Sequence, residues 1–311
     1  MRPRCAGLCH PDPVAKRICI TGALGRAGLA VVRDLAEHGY DVAAMDVAAA
    51  PQGAKQDELS DELGVRVLRA DLTDYGQALE ALQGAEAVIH LANIPAPEIC
   101  TPVVTFNANM TMNFNVFMAA AHLNLSRVVW ASSETTLGLP FDVPPRYAPV
   151  DEDHYPVPTS TYALSKVASE TTAGHIARWS GIPFVALRFS NILGPADYQT
   201  FPSFWADPLK RKWNLWGYID VRDAAAACRV ALEAPAAAVA GSPSFIIAAA
   251  DTVMNRPSAQ LLEEVFPGVP VTRELGESDT LLAIDLARQV LGFEPRHSWR
   301  AHVPAQAQAP G

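Results

Sequence analysis

Cysteine is scarce in this chain of 311 residues, which has five cysteines at positions without the spacing of a disulfide framework. Their odd number and placement exclude a small disulfide-stapled secreted domain and favour a reduced, cytoplasmic protein. Cys5, Cys9 and His10 lie close together near the N-terminus, but no second Cys/His pair accompanies them. We therefore predict no metal site.

Long hydrophobic runs are also lacking, since no apolar stretch approaches the roughly 18–20 residues of a membrane span. The basic N-terminal segment has no apolar stretch behind it, which is not the pattern of a signal peptide. Positive charge is in deficit, because 24 Lys and Arg residues face 33 Asp and Glu residues. The resulting net charge of −9 argues against nucleic acid or an anionic membrane as a partner.

What the chain has is apolar content and an alternating pattern. Apolar residues make up 50% of it, which excludes a disordered chain. Short Val/Ile/Leu-rich segments alternate with helical patterns up to residue 195, and this alternation predicts a parallel sheet covered on both faces. The predicted strands are Arg17–Thr21, Asp41–Asp46, Val65–Ala70, Ala85–Leu91, Arg127–Ser132 and Pro183–Phe189.

The turn after the first strand is glycine-rich and has the sequence TGALGRAG. In such a turn, Gly22 permits the tight bend, Gly25 lets the backbone approach a pyrophosphate, and Gly28 lets the following helix pack on the strand. The helix N-terminus then presents free N–H groups to the phosphates. This pattern predicts a dinucleotide site.

An acidic residue, Asp46, ends the second strand 24 residues after Gly22. Its carboxylate can accept both hydroxyls of the adenosine ribose and would repel a 2′-phosphate, which favours NAD over NADP. Arg26, inside the turn, is the opposing feature because it can reach a 2′-phosphate. A plain turn residue is the alternative for Asp46.

Two strand ends supply further candidates. Asp71 and Leu72 follow the third strand, where the acid can accept from an adenine amino group and the leucine can cover the ring; a helix cap is an equally good interpretation. The small residues after His90 leave room for ribose, and they are Leu91, Ala92 and Asn93. We expect His90 itself to be a packed core histidine.

The segment YALSK places Tyr162 and Lys166 four residues apart. On a helix these positions share one face, and a lysine ammonium beside a phenol lowers the pKa of that phenol. Tyr162 then serves as a general base for alcohol oxidation, or as an acid in the reverse direction. Ser133, at the end of the fifth strand, can hydrogen-bond and polarise the substrate oxygen. A surface tyrosine with a solvated lysine, and a serine that caps a turn, are the alternatives.

At this point the sequence resembles the extended short-chain dehydrogenase/reductase family, in its NAD-dependent epimerase/dehydratase group. The likeness extends from Arg17 to about Trp299 and is carried by TGALGRAG, HLAN, NMTMNFNV, SSETTLG, YALSK, LRFSNILGP and YIDVRDAA. The resemblance implies that the catalytic residues are Ser133, Tyr162 and Lys166. It implies cofactor contacts at Arg26, Ala27, Asp46, Asp71, Leu72, Leu91, Ala92, Asn109, Tyr162, Lys166 and Ser190.

Departures from the family pattern affect the substrate. Sugar 4,6-dehydratases carry Asp and Glu where this chain has Glu134 and Thr135; elimination of water needs a base at the second position, so we do not expect dehydratase activity. The segment 196–218 lacks the long insert of nucleotide-sugar enzymes, and in this compactness the chain is similar to uronate dehydrogenases. Its aromatic residues can stack on a sugar and its basic residues 210–212 can bind carboxylate or phosphate, or both can be a hydrophobic plug with a solvated charge run. The expected substrate-binding residues are Ser133, Glu134, Thr135, Asn191, Phe204, Trp205 and Trp213.

These observations predict an α/β protein with a Rossmann-type doubly wound parallel sheet and a smaller α/β substrate lobe on its C-terminal side. Residues 1–16 are predicted to be a flexible extension and 304–311 a disordered tail, with an NAD-binding domain over 17–195 and a substrate lobe over 196–303. We expect the binding partner to be a small-molecule substrate, a sugar or sugar acid.

Three functions compete. The first is a dehydrogenase or reductase that exchanges hydride between NAD and a polyol, sugar or sugar acid. The second is a sugar or nucleotide-sugar epimerase without net redox change. The third is a non-catalytic NAD-sensing regulator, which would not need the Tyr/Lys pair.

A homodimer is expected as well. The helical segments 103–122 and 160–180 carry apolar residues beyond one face, including Phe114, Phe117 and Ile176. Related enzymes dimerise by pairing these helices, so we predict a two-fold symmetric homodimer.

Overall fold

The computed structural model describes residues 16–49, 54–154 and 156–303. The predicted tail 304–311 and the predicted extension, apart from Lys16, lie outside the described residues. Among the described residues no helix is long and apolar enough to cross a membrane.

A seven-stranded parallel sheet forms the centre of the molecule, in the order β3-β2-β1-β4-β5-β6-β9. Its strands are β1 Arg17–Thr21, β2 Asp41–Asp46, β3 Val67–Arg69, β4 Ala87–His90, β5 Arg127–Ser133, β6 Phe184–Phe189 and β9 Ser244–Ile247. A separate parallel pair consists of β7 Ile192–Leu193 and β8 Ile219–Asp220. The order reverses between β1 and β4, and a doubly wound sheet opens its ligand crevice at such a switch point.

Helices cover both faces of the sheet. The helices of the described residues are α1 Arg26–Glu37, α2 Ala54–Leu63, α3 Tyr75–Leu82, α4 Pro102–His122, α5 Thr161–Ser180, α6 Pro195–Tyr198, α7 Pro202–Trp205, α8 Val221–Glu233, α9 Ser258–Val265 and α10 Asp285–Leu291, of which α6, α7 and α9 belong to the smaller lobe. One buried apolar cluster joins the sheet to α1, α8 and α10, and another joins it to α3, α4 and α5. Strands buried on both sides explain the continuous apolar segments of the sequence.

Local signals set the helix that carries the YALSK segment. The Ser160 hydroxyl accepts a hydrogen bond from the Ala163 amide at 3.1 Å and so caps the N-terminus of α5. Gly181 ends the helix with a φ of +75°, a conformation that glycine adopts without steric cost. The predicted bounds of this helix are therefore confirmed to within one residue.

The C-terminal part departs from the predicted domain boundary. The segment Ser244–Ile247 falls in the predicted smaller lobe, but β9 pairs with β6 in the main sheet. The helix α8 likewise packs on α1 within the sheet's own core. The smaller lobe has its own core, in which Trp216, Tyr218 and Trp299 are fully buried.

Candidate active site

A cleft of about 1060 Å³ opens at the carboxyl ends of the parallel strands. It extends from Asp46 at the end of β2, past the turn between β1 and α1, to Tyr162 on α5 and Trp213 of the smaller lobe. Candidates for cofactor binding and for catalysis therefore lie along one cleft.

The glycine-rich turn forms the floor of the cleft. A Cβ atom on Gly22, whose φ is +71°, would lie 2.7 Å from the Ala92 amide nitrogen, and one on Gly28 would lie 2.0 Å from the Gly22 carbonyl oxygen. Neither position has room for a side chain. The helix α1 begins at Arg26 without a side-chain cap, so its first N–H groups are available to an anion.

Asp46 lies on one side of this turn. Its carboxylate accepts hydrogen bonds from the Leu24 amide at 2.9 Å and the Ala48 amide at 2.8 Å, and it lines the cleft. Arg26 lies on the other side, where its guanidinium donates to Asp197 at 2.5 Å and to the Ile192 carbonyl at 3.1 Å. Asp46 therefore has the position expected of a ribose ligand, and Arg26 is held towards the smaller lobe.

The next strand ends bring in the remaining cofactor candidates. Asp71 and Leu72 line the cleft, and the Asp71 carboxylate accepts from the Thr73 amide and hydroxyl at 3.0 and 2.7 Å. These hydrogen bonds lower the pKa of Asp71. The cap of α3 is Asp74 instead, so the capping alternative for Asp71 is wrong.

Asn93 and Asn109 have different surroundings. Both polar side-chain atoms of Asn93 are buried without a hydrogen-bond partner at the cleft wall, and such atoms are expected to be paired. Asn109 uses both of its polar atoms on the backbone of Ile94, at 2.8 and 3.1 Å. Asn109 is outside the cleft lining and anchors the loop after β4, and its contact with the cofactor stays a prediction.

The catalytic candidates meet in the middle of the cleft. Tyr162 is buried and lines the cleft together with Ser133. The Ser133 oxygen accepts from the Thr135 amide at 3.1 Å and from the Thr135 hydroxyl at 3.0 Å. Burial raises the pKa of Tyr162 to about 12; the neighbouring Ser133 lowers this pKa, and the negative charge of Glu134 raises it.

Lys166 departs from its expected electrostatic role. Its ammonium donates to the Ala131 carbonyl at 2.7 Å and lies 5.5 Å from the centroid of the Tyr162 ring. Burial lowers the pKa of Lys166 to about 7, while the charge of Glu170 raises it. Burial is the largest influence on the pKa of each residue, and the charge of Lys166 is not among the influences on Tyr162. This corrects the expectation that Lys166 lowers the pKa of the phenol.

Glu134 lies beside Ser133 in a short 3₁₀ helix, 3% exposed. Its carboxyl oxygens accept from the Ser190 hydroxyl at 2.6 Å and the Asn214 amide at 3.2 Å. Burial raises the pKa of Glu134 to about 7, against the lowering effect of these bonds and of the Arg211 charge. Glu134 therefore links the end of β5 to β6 and to the smaller lobe.

The aromatic candidates of the smaller lobe separate. Trp213 lines the cleft, together with Asn191 and Thr135. Phe204 and Trp205 do not; Trp205 donates to the Val253 carbonyl at 3.0 Å and packs against Trp299. For these two residues the alternative interpretation, a hydrophobic plug, agrees with the structure.

The buried histidine has a structural role. The Thr21 hydroxyl and His90 Nδ1 are 2.6 Å apart, and His90 Nε2 lies 2.9 Å from the amide oxygen of Asn113, whose nitrogen donates to Ser169 on α5. Burial lowers the pKa of His90 to about 3. The expected core histidine is confirmed, and Asn113 ties β4 to α4 and α5.

Several cleft residues were missing from the sequence-based set. They include Met45, Ile94, Pro95, Leu139, Pro140 and Phe189. They are ordinary apolar residues, and only their position at strand ends indicates a role. Within the described part of the chain, no group of three or more His, Cys, Asp or Glu residues is arranged to hold a metal ion.

Comparison with known proteins agrees with this geometry. A family model described as the NAD dependent epimerase/dehydratase family matches residues 18–248. The chain belongs to this family. It is an enzyme of the extended short-chain dehydrogenase/reductase type, with NAD as its cofactor.

Two curated relatives show the range of this family. Cinnamoyl-CoA reductase 1 of Arabidopsis thaliana is 28% identical over 283 residues, which cover 84% of this chain and 78% of the reductase. NAD-dependent glucose-6-phosphate dehydrogenase of Haloferax volcanii is 29% identical over 205 residues, which cover 60% of this chain and 74% of the dehydrogenase.

Solved structures show the same fold. A crystal structure of UDP-galactose 4-epimerase matches with a TM-score of 0.65 at 26% identity, covering 94% of this chain and 97% of the epimerase. A short-chain dehydrogenase/reductase superfamily protein from Agrobacterium tumefaciens, crystallised with bound NAD, matches with a TM-score of 0.67 at 22% identity, covering 94% and 96%.

The residues of this family member fit its cofactor. The close approaches at Gly22 and Gly28 leave a side-chain-free cradle for a pyrophosphate at the N-terminus of α1. Asp46 is placed for a ribose, and the unpaired amide of Asn93 supplies a donor and an acceptor farther along the cleft.

Proposed function

We propose that this enzyme transfers hydride between NAD and a C–OH or C=O group of a small polyol or sugar compound, with Tyr162 as general base or acid. NAD supplies the hydride acceptor or donor. The observation that carries the proposal is that Ser133, Tyr162 and Lys166 line the same cleft as the glycine cradle.

The roles of the three polar residues follow from their positions. Ser133 donates to or accepts from the substrate oxygen and orients it towards the phenol. Tyr162 removes the hydroxyl proton of an alcohol, or returns it to a carbonyl oxygen. Lys166 lines the cleft and donates to the Ala131 carbonyl at 2.7 Å, which supports a contact with the ribose next to the reacting ring of the cofactor.

The cofactor preference and the substrate lobe belong to the same proposal. Asp46 supports NAD over NADP, because a 2′-phosphate at this position would meet a carboxylate. Trp213 supports substrate contact by the smaller lobe, since its ring lines the cleft opposite the strand ends.

An epimerase is the competing function, favoured by the match to UDP-galactose 4-epimerase over 94% of this chain. An epimerase oxidises and then reduces the same carbon, so it releases no reduced cofactor. A dehydrogenase accumulates NADH with each turnover.

One assay separates these functions. Purified enzyme and NAD are incubated with free sugars, polyols, sugar acids and nucleotide sugars, while absorbance at 340 nm and the sugar products are followed. Net NADH formation that is lost in Tyr162→Phe is expected. An epimeric product without NADH would replace the proposal by the epimerase, and turnover that survives in Tyr162→Phe would refute the assignment of the base.

A further inference from the structure

The carboxyl group of Glu134 is fixed at the substrate end of the cleft. It lines the cleft immediately after Ser133 and is held from two sides, by the Ser190 hydroxyl at 2.6 Å and the Asn214 amide at 3.2 Å. With donors from both lobes, this side chain stays beside the reacting groups.

Its proximity to the chemistry is electrostatic as well as spatial. The negative charge of Glu134 raises the pKa of Tyr162, and both residues line the cleft that must receive the substrate. An anionic substituent near the reacting carbon would share this space with a carboxylate. Like charges at such separations cost a substantial free energy in a site that excludes water.

The basic residues 210–212 do not supply a positive charge that could neutralise an anionic substrate in the cleft. Arg211 does act on Glu134, but its guanidinium donates to the Gly217 carbonyl and lies against the rings of Phe204 and Trp213, at 5.3 and 4.7 Å. It is not part of the cleft lining.

The two lysines of the segment are directed elsewhere. Lys210 donates to the Ser203 carbonyl at 3.3 Å, and Lys212 pairs with Asp142 at 3.5 Å. Neither residue lines the cleft. This arrangement corrects the expectation that residues 210–212 bind a carboxylate or phosphate of the substrate.

Resting on the proposed function, we propose that Glu134 makes this enzyme selective for neutral aldoses and polyols and excludes sugar acids and sugar phosphates. The remaining acceptor capacity of the carboxyl oxygens suits substrate hydroxyls, which are donors. An anion at the same place has no hydrogen to donate and adds repulsion. Glu134 is thus a specificity-determining residue by attraction and by exclusion.

The test uses matched pairs of compounds that differ in charge. Initial rates of NAD reduction are measured at pH 8.5 with galactose and galacturonate, glucose and glucose 6-phosphate, and sorbitol and gluconate. In the wild type, kcat/KM for the neutral member of a reacting pair is expected to exceed that for the anionic member by at least about tenfold. In Glu134→Gln, which removes the charge and keeps the size, this ratio should fall by about tenfold.

A matched control is available in the fold. Glu152 is a partly buried glutamate, whose pKa burial raises to about 7, but it accepts from the Ile246 amide at 2.7 Å and does not line the cleft. Glu152→Gln should leave the charge ratio unchanged. Thermal unfolding and NAD affinity of both variants check that they fold.

Three outcomes would overturn the Glu134 assignment: preference of the wild type for the anionic members, an unchanged ratio in Glu134→Gln, or no reaction with any neutral member in a protein that binds NAD. Failure of the Glu134 assignment can be distinguished from failure of the proposed function. Oxidation of galacturonate in preference to galactose that depends on Tyr162 would refute the specificity and support the hydride transfer, whereas preferential neutral-sugar oxidation that survives Tyr162→Phe would do the reverse.

Discussion

The ammonium of Lys166 lies 5.5 Å from the centroid of the Tyr162 ring and donates to the Ala131 carbonyl rather than to the phenol. The two residues share a helix face, as their spacing predicts, yet the backbone of β5 takes the lysine's hydrogen bond. Their contributions to catalysis are therefore separable by mutation.

Removal of the phenol oxygen tests the general base. Tyr162→Phe keeps the ring packing and should lower turnover by about 10²–10⁴-fold, the usual contribution of a general acid–base group. NAD affinity, measured by quenching of tryptophan fluorescence, should change by less than about twofold. Loss of NAD binding together with turnover would instead indicate a role for the hydroxyl in holding the cofactor.

The pH dependence of alcohol oxidation gives a sharper test. Because the pKa of Tyr162 is raised to about 12, kcat should rise with pH without a plateau up to about pH 10.5. Ser133→Ala removes the neighbouring hydroxyl that lowers this pKa, so its profile should move to higher pH. Lys166→Ala should lower turnover and NAD affinity but leave the profile in place, since a lysine with a pKa of about 7 is neutral at these pH values.

Initial rates from pH 7 to 10.5 check these profiles. A shift to higher pH in Lys166→Ala would restore the electrostatic role that its spacing suggests. A plateau near neutral pH in the wild type would contradict the effect of burial on Tyr162.

The choice of cofactor depends on Asp46. Asp46→Ala should weaken NAD binding at least several-fold and narrow the preference over NADP, because it removes both the ribose acceptor and the repulsion of a 2′-phosphate. Asp41→Ala is the control, since Asp41 lies at the opposite end of the same strand, outside the cleft lining. Equal affinities of the wild type for both cofactors in a calorimetric titration would refute this role.

Assembly can be tested on the exposed surface of α4 and α5. Phe117 and Ile176 are fully buried within the protomer, so they cannot serve the predicted interface, but Phe114 is 47% exposed and Trp179 66%. Light scattering at about 10 µM should give twice the 33.3 kDa mass of the chain. Phe114→Glu should reduce this mass to that of a monomer.

Val143→Glu is the matched control for the dimer, because Val143 is 80% exposed and lies outside both helices. It should leave the mass unchanged. A monomeric wild type would refute the dimer.

The neutral His90 makes stability depend on pH. Its folded pKa of about 3 lies below the ordinary value of 6.5, so between these values the unfolded chain binds more protons and stability is lost as the pH falls. The free energy of unfolding of wild type relative to His90→Gln should decline by about 1.4 kcal/mol per pH unit between pH 6 and 4. Glu134 and Glu152 titrate in both proteins and cancel in this difference. Urea denaturation at pH 6 and 4 measures it, and a constant difference would show that His90 takes up its proton as readily in the folded protein as in the unfolded chain.

Local patterns predict what is built locally. The strand, turn and helix around Gly22 occupy adjacent positions in the chain, so their spacing alone predicts that Asp46 lies at the cleft. The YALSK spacing likewise predicts the helix α5 that carries Tyr162. Glu134 is different, because its partner Asn214 is 80 residues away and its burial comes from the contact between the lobes. No local sequence pattern indicates that the pKa of Glu134 is raised.

Aromatic residues show the same limit. Phe204, Trp205 and Trp213 are indistinguishable in the sequence, yet only Trp213 lines the cleft. Trp213 lies on the 3₁₀ helix Pro208–Asn214, whereas Phe204 and Trp205 lie on α7, and the packing of these two helices on the smaller lobe decides which ring reaches the cleft. The pairing of β9 with β6 is likewise a tertiary choice that strand propensity does not specify.

This pairing has a consequence for how the two lobes can be recombined. A fragment that stops at residue 195 would leave the edge of β6 open and the face of α1 that packs on α8 bare, and open edges of this kind promote aggregation. A chimaera that exchanges the substrate lobe between relatives must keep residues 221–247 with the dinucleotide half. The substrate lobe that can be exchanged is therefore discontinuous in the chain. It consists of the two segments that precede and follow residues 221–247, and it is not a single C-terminal domain.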